Sequence, residues 1–583
     1  MRTRTLQYLY LQRPLVILIL ITALSTLVWV GKGEFYTKGE PREASVALSM
    51  INDGNWVLPS VYAGEIAYKP PFTHWMTAVF SLPNGKVTPF TSRLPSAFGF
   101  IGFIVVSFLL FGRKLKFQEA FVACMILLCS FELHRAAMTA RVDMLLTFFI
   151  VLSLLCMYKW EVRRQLRGFP LIIPLILSAS VLTKGPVGLI LPLLVFGVYL
   201  VLLDYSVWEV VYKLALIAVS ALLIPAVWYL SAYREGGREF LNIFLAENFG
   251  RFLSHNDPAI SYHLGHEEPC WYNFLTLLWG FIPWTLLYFF SLFSIRFTKK
   301  WPGLKTIWQN LLSMEKIKLF SLVAAVIIIF FYCIPSGKRS VYLMPAYPFI
   351  AIFLSQFTLY LAEYRSTVSR IFCLIIGLLG TLVAVVCLFP IVAHGIDPVQ
   401  WAESLTHNAK LLSTIDLISD SLKKSTALHI VLLCCLITAL STLFYQLGKK
   451  NNLKLLYATI GVYLCVNLVA DGIFLPAYKN KASIKPFAEQ VKSEYAHDKR
   501  AFYVMNNLKE YSNMYGLNFY LNNSFRNFEQ EMPSEGLFFT GKESFKKVES
   551  RYGNLFQFQL EREINNPNRD GERIIQLYSF TRK

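Results

Sequence analysis

Charge is scarce in this sequence. Asp, Glu, Lys and Arg make up 16% of its 583 residues, whereas 55% are hydrophobic, and the mean hydropathy is +0.46. A disordered chain and an ordinary soluble protein are excluded, because apolar runs of about 20 residues between short charged connections are what a bilayer core selects. Glycine loops that hold nucleotides are missing as well: neither G-x-x-x-x-G-K-[ST] nor G-x-G-x-x-G occurs. Internal repeats and low-complexity tracts are also lacking. Of ten cysteines, Cys124, Cys129, Cys156, Cys373, Cys387, Cys434, Cys435 and Cys465 lie inside apolar runs. Cys333 sits near the end of one, Cys270 is in a loop, and the last hundred residues have none. That distribution encodes neither a disulfide framework nor a CxxC metal site.

What is present is a series of thirteen candidate spans, near 14–31, 93–112, 120–132, 143–158, 169–183, 187–203, 214–232, 274–294, 319–335, 341–361, 371–393, 427–446 and 455–475. Arg2, Arg4 and Arg13 precede the first, but Val28-Trp29-Val30 offers no small-residue cleavage site, so it is read as a retained helix. With the N-terminus cytosolic, the inside connections hold 22 basic and 6 acidic residues; the outer loops hold 17 and 18, and residues 479–583 hold 17 and 13. Positive loops stay in the cytosol, so most of the +19 net charge is orientation charge, and an odd number of spans puts the tail outside. Nucleic acid is therefore not an expected partner; membrane lipids are.

Two of the outer loops, 32–92 and 233–273, are long and carry acids and bases together. A transporter is expected to place ionisable groups at mid-membrane on broken helices, whereas here they gather at the outer ends of spans, where a lipid-linked head group can be presented. In the first loop Pro41-Arg42-Glu43-Ala44 opens a helix that closes at Asp53-Gly54-Asn55 and is expected to lie on the membrane surface. Glu40 precedes its start, where the helix dipole favours the ionised form; it is either a plain helix-terminus acid or a general base. Tyr68-Lys69-Pro70-Pro71 fixes an extended turn. Arg93 and the Arg141–Asp143 pair stand at span mouths, where an unpaired charge is costly. Lys184-Gly185-Pro186 and Gly337-Lys338-Arg339 are basic outer turns that the positive-inside rule does not explain. The second loop carries Glu247, Arg251 and His266; the last lies beside Glu267 and Glu268 and could ligate a metal. A carboxylate can deprotonate an acceptor hydroxyl while Lys and Arg neutralise phosphate on a departing lipid carrier. From the residues alone, a lipid-linked sugar transferase, a sugar-lipid flippase or transporter, and an oligosaccharide ligase all remain open.

The run GEPREASVALSMINDGNWVLPSVYAGEIAYKPPFTHW resembles the first extracytoplasmic loop of the protein-mannosyltransferase-like family of GT-C membrane glycosyltransferases, especially the members that transfer 4-amino-4-deoxy-L-arabinose to lipid A. The likeness continues through RLPSA (93–97), RVDMLLTFF (141–149), TKGPVGLILP (183–192), ENFGRF (247–252), HEEPCWY (266–272) and KRSVYLMPAYP (338–348). What it implies is a GT-C fold of about 13 transmembrane helices in the bacterial inner membrane, with residues 1–478 as the transferase domain and 479–583 as a small extracytoplasmic α/β domain. It also implies inverting transfer of a sugar from a polyprenyl-phosphate carrier to lipid A or an exported protein on the outer face. Glu40 matches the second member of the family's Asp-Glu pair, and Gly39 stands in the first place. Glu40 or Asp143 then has to supply the catalytic carboxylate, with Glu40 the first choice. Lys69 matches the lysine that faces the carrier phosphate, and Arg42, Arg93, Arg141, Lys184, Glu247, Arg251, Lys338 and Arg339 are the further substrate or phosphate contacts. No cofactor is required on this reading; a divalent cation at His266 is the one such group left open, and Tyr68 stands where the aminoarabinose enzymes carry an acid. In the tail, helices are expected over 483–495 and 543–552 and strands over 501–505, 536–540, 555–560 and 574–580.

Overall fold

The computed structural model describes residues 2–67, 69–112, 114–250, 267–293, 303–392, 398–403, 406–423, 427–449, 451–506, 511, 513–567 and 571–583. Among the described residues the apolar runs fold as helices. Those that position the site are α1 (Arg2–Thr26), α2 (Gly39–Asp53), α3 (Phe72–Ser81), α4 (Pro89–Phe111), α5 (Phe117–Leu128), α6 (Phe131–Ala137), α7 (Val142–Arg164), α8 (Ile172–Lys184), α9 (Val187–Leu202) and α10 (Val207–Leu245). Among the described residues seven helices are long and apolar enough to cross a membrane, and nine spans result if the bent pairs α5–α6 and Tyr272–Gly280 with Trp284–Leu292 each count as one. The bends are 61° and 109°. The remaining apolar runs lie on α1, α8, α9 and Lys316–Phe331; in α8, α9 and Lys316–Phe331 the helix is shorter than the roughly 20 residues a hydrocarbon core requires. On α10 only 22% of the most apolar window is buried in protein, and Leu223, Val227 and Leu230 form an exposed apolar row, the surface that lipid covers in a spanning helix.

Before α4 the first long loop folds into α2 and α3. The stop signal acts as expected: Gly54 ends α2 at φ 71°, a left-handed conformation that glycine adopts without steric cost, whereas the helix begins at Gly39, two residues ahead of Pro41, so that Glu40 lies inside its first turn and not before it. The expected placement on the membrane surface differs. Ala44, Val46, Ala47, Leu48 and Met50 are buried in protein, because α3 packs on one side of α2 and the tail helix Tyr515–Tyr520 on another. A helix with apolar residues on several faces needs cover on all of them.

The tail forms one five-stranded sheet in the order β2-β1-β3-β5-β4, from β1 (Phe502–Val504), β2 (Phe525–Asn527), β3 (Glu535–Gly541), β4 (Phe556–Asn565) and β5 (Ile574–Arg582). β1 runs parallel to β2 and β3, whereas β5 is antiparallel to β3 and β4. Helices Lys485–Glu494 and Lys542–Tyr552 stand where the apolar periodicity places them. This domain is seated on the first loop. Asn518 Nδ2 donates to the Val61 carbonyl at 2.9 Å, Asn523 Nδ2 to the Ser45 carbonyl at 2.8 Å, and Phe35 meets Phe519 edge-on at 5.1 Å.

Candidate active site

The end of the helical bundle that carries the long loops is organised around a buried arginine. Arg93, in the first turns of α4, is fully buried, and its guanidinium spends its donors on five acceptors. Nε donates to Glu40 Oε1 at 2.7 Å, Nη1 to the carbonyls of Val30 and Gly33 at 3.0 and 2.8 Å, and Nη2 to Glu40 Oε2 and the Glu34 carbonyl, both at 3.3 Å. Glu40 Oε1 also accepts from the Ala140 amide at 3.1 Å. Burial pushes the Glu40 carboxyl up, but the charge and hydrogen bonds of Arg93 outweigh it and the net shift is downward. Glu40 is 1% exposed. It joins the segment after α1, the start of α2, the start of α4 and the approach to α7, and it does not line the cavity described next.

That cavity is small and is bordered by Arg42, Glu43, Glu65, Ile66, Lys69 and His74. Glu43, one helical turn after Glu40, pairs with Lys69 through Oε1 and shares a 2.9 Å hydrogen bond with His74 Nε2 through Oε2. Burial opposes the Glu43 charge, yet Lys69, His74 and Arg42 hold its carboxyl well below the usual carboxylate range. Lys69 is brought down to about 8, by burial first and by the neighbouring charge of Arg42, against the opposing pull of Glu43 and Asp143. Across the cavity Glu65 accepts from Tyr515 Oη at 2.7 Å, so a tail residue completes this wall. Burial and nearby Glu247 raise the Glu65 carboxyl despite that bond and the charge of Arg42.

A second group of charges stands beside the first. Asp143 lies in the first turn of α7, where the helix dipole favours a carboxylate, and its Oδ1 pairs with Lys184 from the last turn of α8. Among the described residues its Oδ2 accepts no hydrogen bond. Lys184 Nζ also lies 4.1 Å from the centroid of the Tyr342 ring, a cation–π contact that holds the ammonium in place. Gly185 follows at φ 88°, and a side chain there would meet Asn248 Oδ1 at 2.6 Å, so the ENFG segment packs directly on the TKGP turn. Gly39 is equally constrained: a Cβ at that position would stand 2.6 Å from Arg141 Nη2. The arginine occupies the space that a side chain at 39 would take.

The structure thus brings Arg42, Lys69, Arg141, Asp143, Lys184 and Glu247 to one end of the bundle. Arg251 and His266 lie outside the described residues, as does Tyr68. Lys338 is buried and donates to the carbonyl of Pro335 at 2.7 Å, while Arg339 is exposed; their turn joins the cluster through Tyr342. Among the described residues no group of three or more His, Cys, Asp or Glu side chains could hold a metal ion. Sequence reasoning missed Glu43 and His74, which only the Lys69 contact singles out, and also Glu132. Glu132 accepts from Arg135 Nη2 at 2.6 Å and Ser340 Oγ at 2.7 Å on the wall of an open cleft that Phe131, Tyr272 and Trp279 also line.

Residues 68–229, which run from the cavity lysine through Asp143 and Lys184, match the family model described as dolichyl-phosphate-mannose-protein mannosyltransferase. The chain is similar to protein-mannosyltransferase-like enzymes of the GT-C class. It is 28% identical to an uncharacterized protein of Aquifex aeolicus over 60% of this chain and 64% of that one. It is 26% identical to the undecaprenyl phosphate-alpha-4-amino-4-deoxy-L-arabinose arabinosyl transferase of Shewanella sediminis over 57% of each. The chain therefore spans about three-fifths of the length of these relatives. Among solved structures it resembles ArnT from Cupriavidus metallidurans bound to undecaprenyl phosphate, with a TM-score of 0.67, 18% identity, and coverage of 96% of this chain and 97% of that one. The fold is thus ArnT-like through both the helical bundle and the tail. With its apolar helices, this likeness is that of a multi-pass membrane protein.

Proposed function

We propose that the chain is an integral membrane glycosyltransferase that moves a sugar, with inversion, from a polyprenyl-phosphate carrier to lipid A or an exported protein on the outer face of the inner membrane. Residues 1–478 form the transferase domain with about 13 crossings, the N-terminus is cytosolic, and residues 479–583 form an extracytoplasmic domain that walls the site. The observation that carries this is the convergence of Lys184, Arg141 and Lys69 around Asp143, with Arg42 beside Lys69; Lys184 engages one oxygen of Asp143, and the other accepts no hydrogen bond among the described residues. Lys69 and Arg42 bind the carrier phosphate and neutralise the charge that grows on it as the anomeric C–O bond breaks. Asp143 takes the proton of the acceptor hydroxyl as that oxygen attacks from the opposite face of the sugar. Glu40 serves as an anchor, since Arg93 engages both of its oxygens. Arg93 is likewise a folding element, and Glu247, Arg251, Lys338 and Arg339 act at the rim on the sugar or phosphate. The fixed cations supply the charge that a metal would otherwise provide, so no divalent ion is required and His266 is not assigned one.

The relatives named as arabinosyl transferases support an undecaprenyl-phosphate-linked sugar as the donor, and the resemblance to the family members that modify lipid A makes lipid A the first acceptor to test. Purified protein is supplied with a polyprenyl-phosphate-linked sugar and lipid A, and sugar-modified lipid A and free polyprenyl phosphate are measured. Equimolar formation of both, with the sugar linkage inverted, is the expected result. Movement of the intact sugar-lipid across a vesicle membrane, with no release of polyprenyl phosphate, would instead identify a flippase.

A further inference from the structure

Eight of the ten cysteines lie in apolar helical runs, and the two that do not are brought side by side by the fold. Cys270 leads into helix Tyr272–Gly280, and Cys333 follows helix Lys316–Phe331, 63 positions away. Two strips of backbone run antiparallel between them: Glu267 bridges Gly337, and the Glu268 amide donates to the Ser336 carbonyl at 3.2 Å. Asn273 Nδ2 reinforces the junction through the Tyr332 carbonyl at 2.9 Å and lies 3.5 Å from Cys333 Sγ. The cysteines then cross-contact each other. Cys270 Sγ lies 3.4 Å from the Cys333 carbonyl oxygen, and Cys333 Sγ lies 3.9 Å from that of Cys270. Cys270 is exposed and Cys333 partly so.

We infer that Cys270 and Cys333 are a modification site, forming a disulfide that staples the end of the second long loop to the Gly337-Lys338-Arg339 turn. The inference rests on the outward orientation proposed above, because disulfides persist in oxidising compartments and not in the cytosol. The step is thiol–disulfide exchange with a disulfide-bearing oxidoreductase of the exported compartment. The Cys270 Sγ–Cys333 Sγ bond forms, and the oxidoreductase disulfide takes up the two electrons and two protons and becomes a dithiol. The consequence is local and functional. Tyr272, Leu275, Thr276 and Trp279 line the open cleft on one side and Ser340 lines it on the other. The bond would fix the two walls at their common end.

The test uses the full chain in cells grown with oxygen. Free thiols are blocked with N-ethylmaleimide before lysis, and peptides are mapped with and without later reduction. The expected result is a linked peptide pair containing Cys270 and Cys333, with both sulfurs alkylated only after reduction. In the Cys270→Ser variant Cys333 should become reactive without reduction. Recovery of both cysteines as alkylated thiols from unreduced cells would overturn the proposal. A membrane-impermeant maleimide applied to intact spheroplasts carrying Cys270→Ser separates the two failures. Labelling of Cys333 upholds the orientation whatever the bond does, and labelling only after permeabilisation overturns the orientation itself.

Discussion

Replacing Glu40 with glutamine separates an anchoring role from a catalytic one. Arg93 is fully buried, and among the described residues Glu40 is the only charged acceptor it contacts; the others are the carbonyls of Val30, Gly33 and Glu34. A glutamine keeps one oxygen for Nε but turns an NH₂ group toward Nη2, so the guanidinium loses its counter-charge and one acceptor while remaining buried. Breaking a buried ion pair by removing one partner typically costs about 3–5 kcal/mol, mostly from the charge left uncompensated. The expected outcome of Glu40→Gln in detergent-purified protein is a clearly lower unfolding midpoint, with turnover per folded molecule, read at low temperature, within about tenfold of the parent, a barrier change of about 1.4 kcal/mol. The double variant Glu40→Leu with Arg93→Met removes both charges and should recover much of the lost stability, since apolar replacement of a buried pair is often neutral. The reasoning is refuted if Glu40→Gln unfolds at the parental temperature yet loses about a thousandfold or more in turnover, the loss expected when a positioned general base is removed.

Two further outcomes follow from the same geometry. Because Lys69 is lowered to about 8 and its protonated form is the one that binds phosphate, kcat/KM should be level below that pH and fall above it. Lys69→Arg, whose guanidinium stays charged, should carry the plateau to higher pH, and a parental profile that is flat to about pH 10 would contradict the assignment. Gly39→Val puts a Cβ 2.6 Å from Arg141 Nη2 and adds two methyl groups beyond it, so Arg141 must move. Steady-state kinetics should then show a donor KM raised by about tenfold or more with kcat less affected, a binding loss of about 1.4 kcal/mol; an unchanged KM would remove Arg141 from the site.

Local signals in the sequence locate much of this molecule, and long-range pairings locate little of it. Gly54 ends α2 and Pro41 lies within its first turn, because glycine and proline act through their own backbone conformations. Among the described residues the apolar runs become helices for an equally local reason, although only seven to nine of them are long enough to count as spans. Tail strands β3, β4 and β5 are legible as alternating or apolar runs, whereas helix Tyr515–Tyr520 and strand β2 are too short to carry a period. The site is a different matter. Glu43 meets Lys69 and His74 from 26 and 31 positions away, and Glu65 meets Tyr515 from 450, so nothing near them in the chain announces the contact. Glu40 and Glu43 both belong to one short helix, and only the packing shows that the first faces Arg93 and the second faces the cavity. The same limit hides the facing of Cys270 and Cys333.

The most direct measurement is the turnover of Asp143→Asn with purified protein, a polyprenyl-phosphate-linked sugar and lipid A. Asparagine preserves the shape of the side chain and leaves Lys184 stacked on Tyr342, but it cannot take a proton from the acceptor hydroxyl. The account predicts a fall in kcat of about 10²–10⁴, the usual contribution of a general base, with donor KM within a few-fold of the parent. Near-parental kcat in a correctly folded Asp143→Asn protein would contradict it.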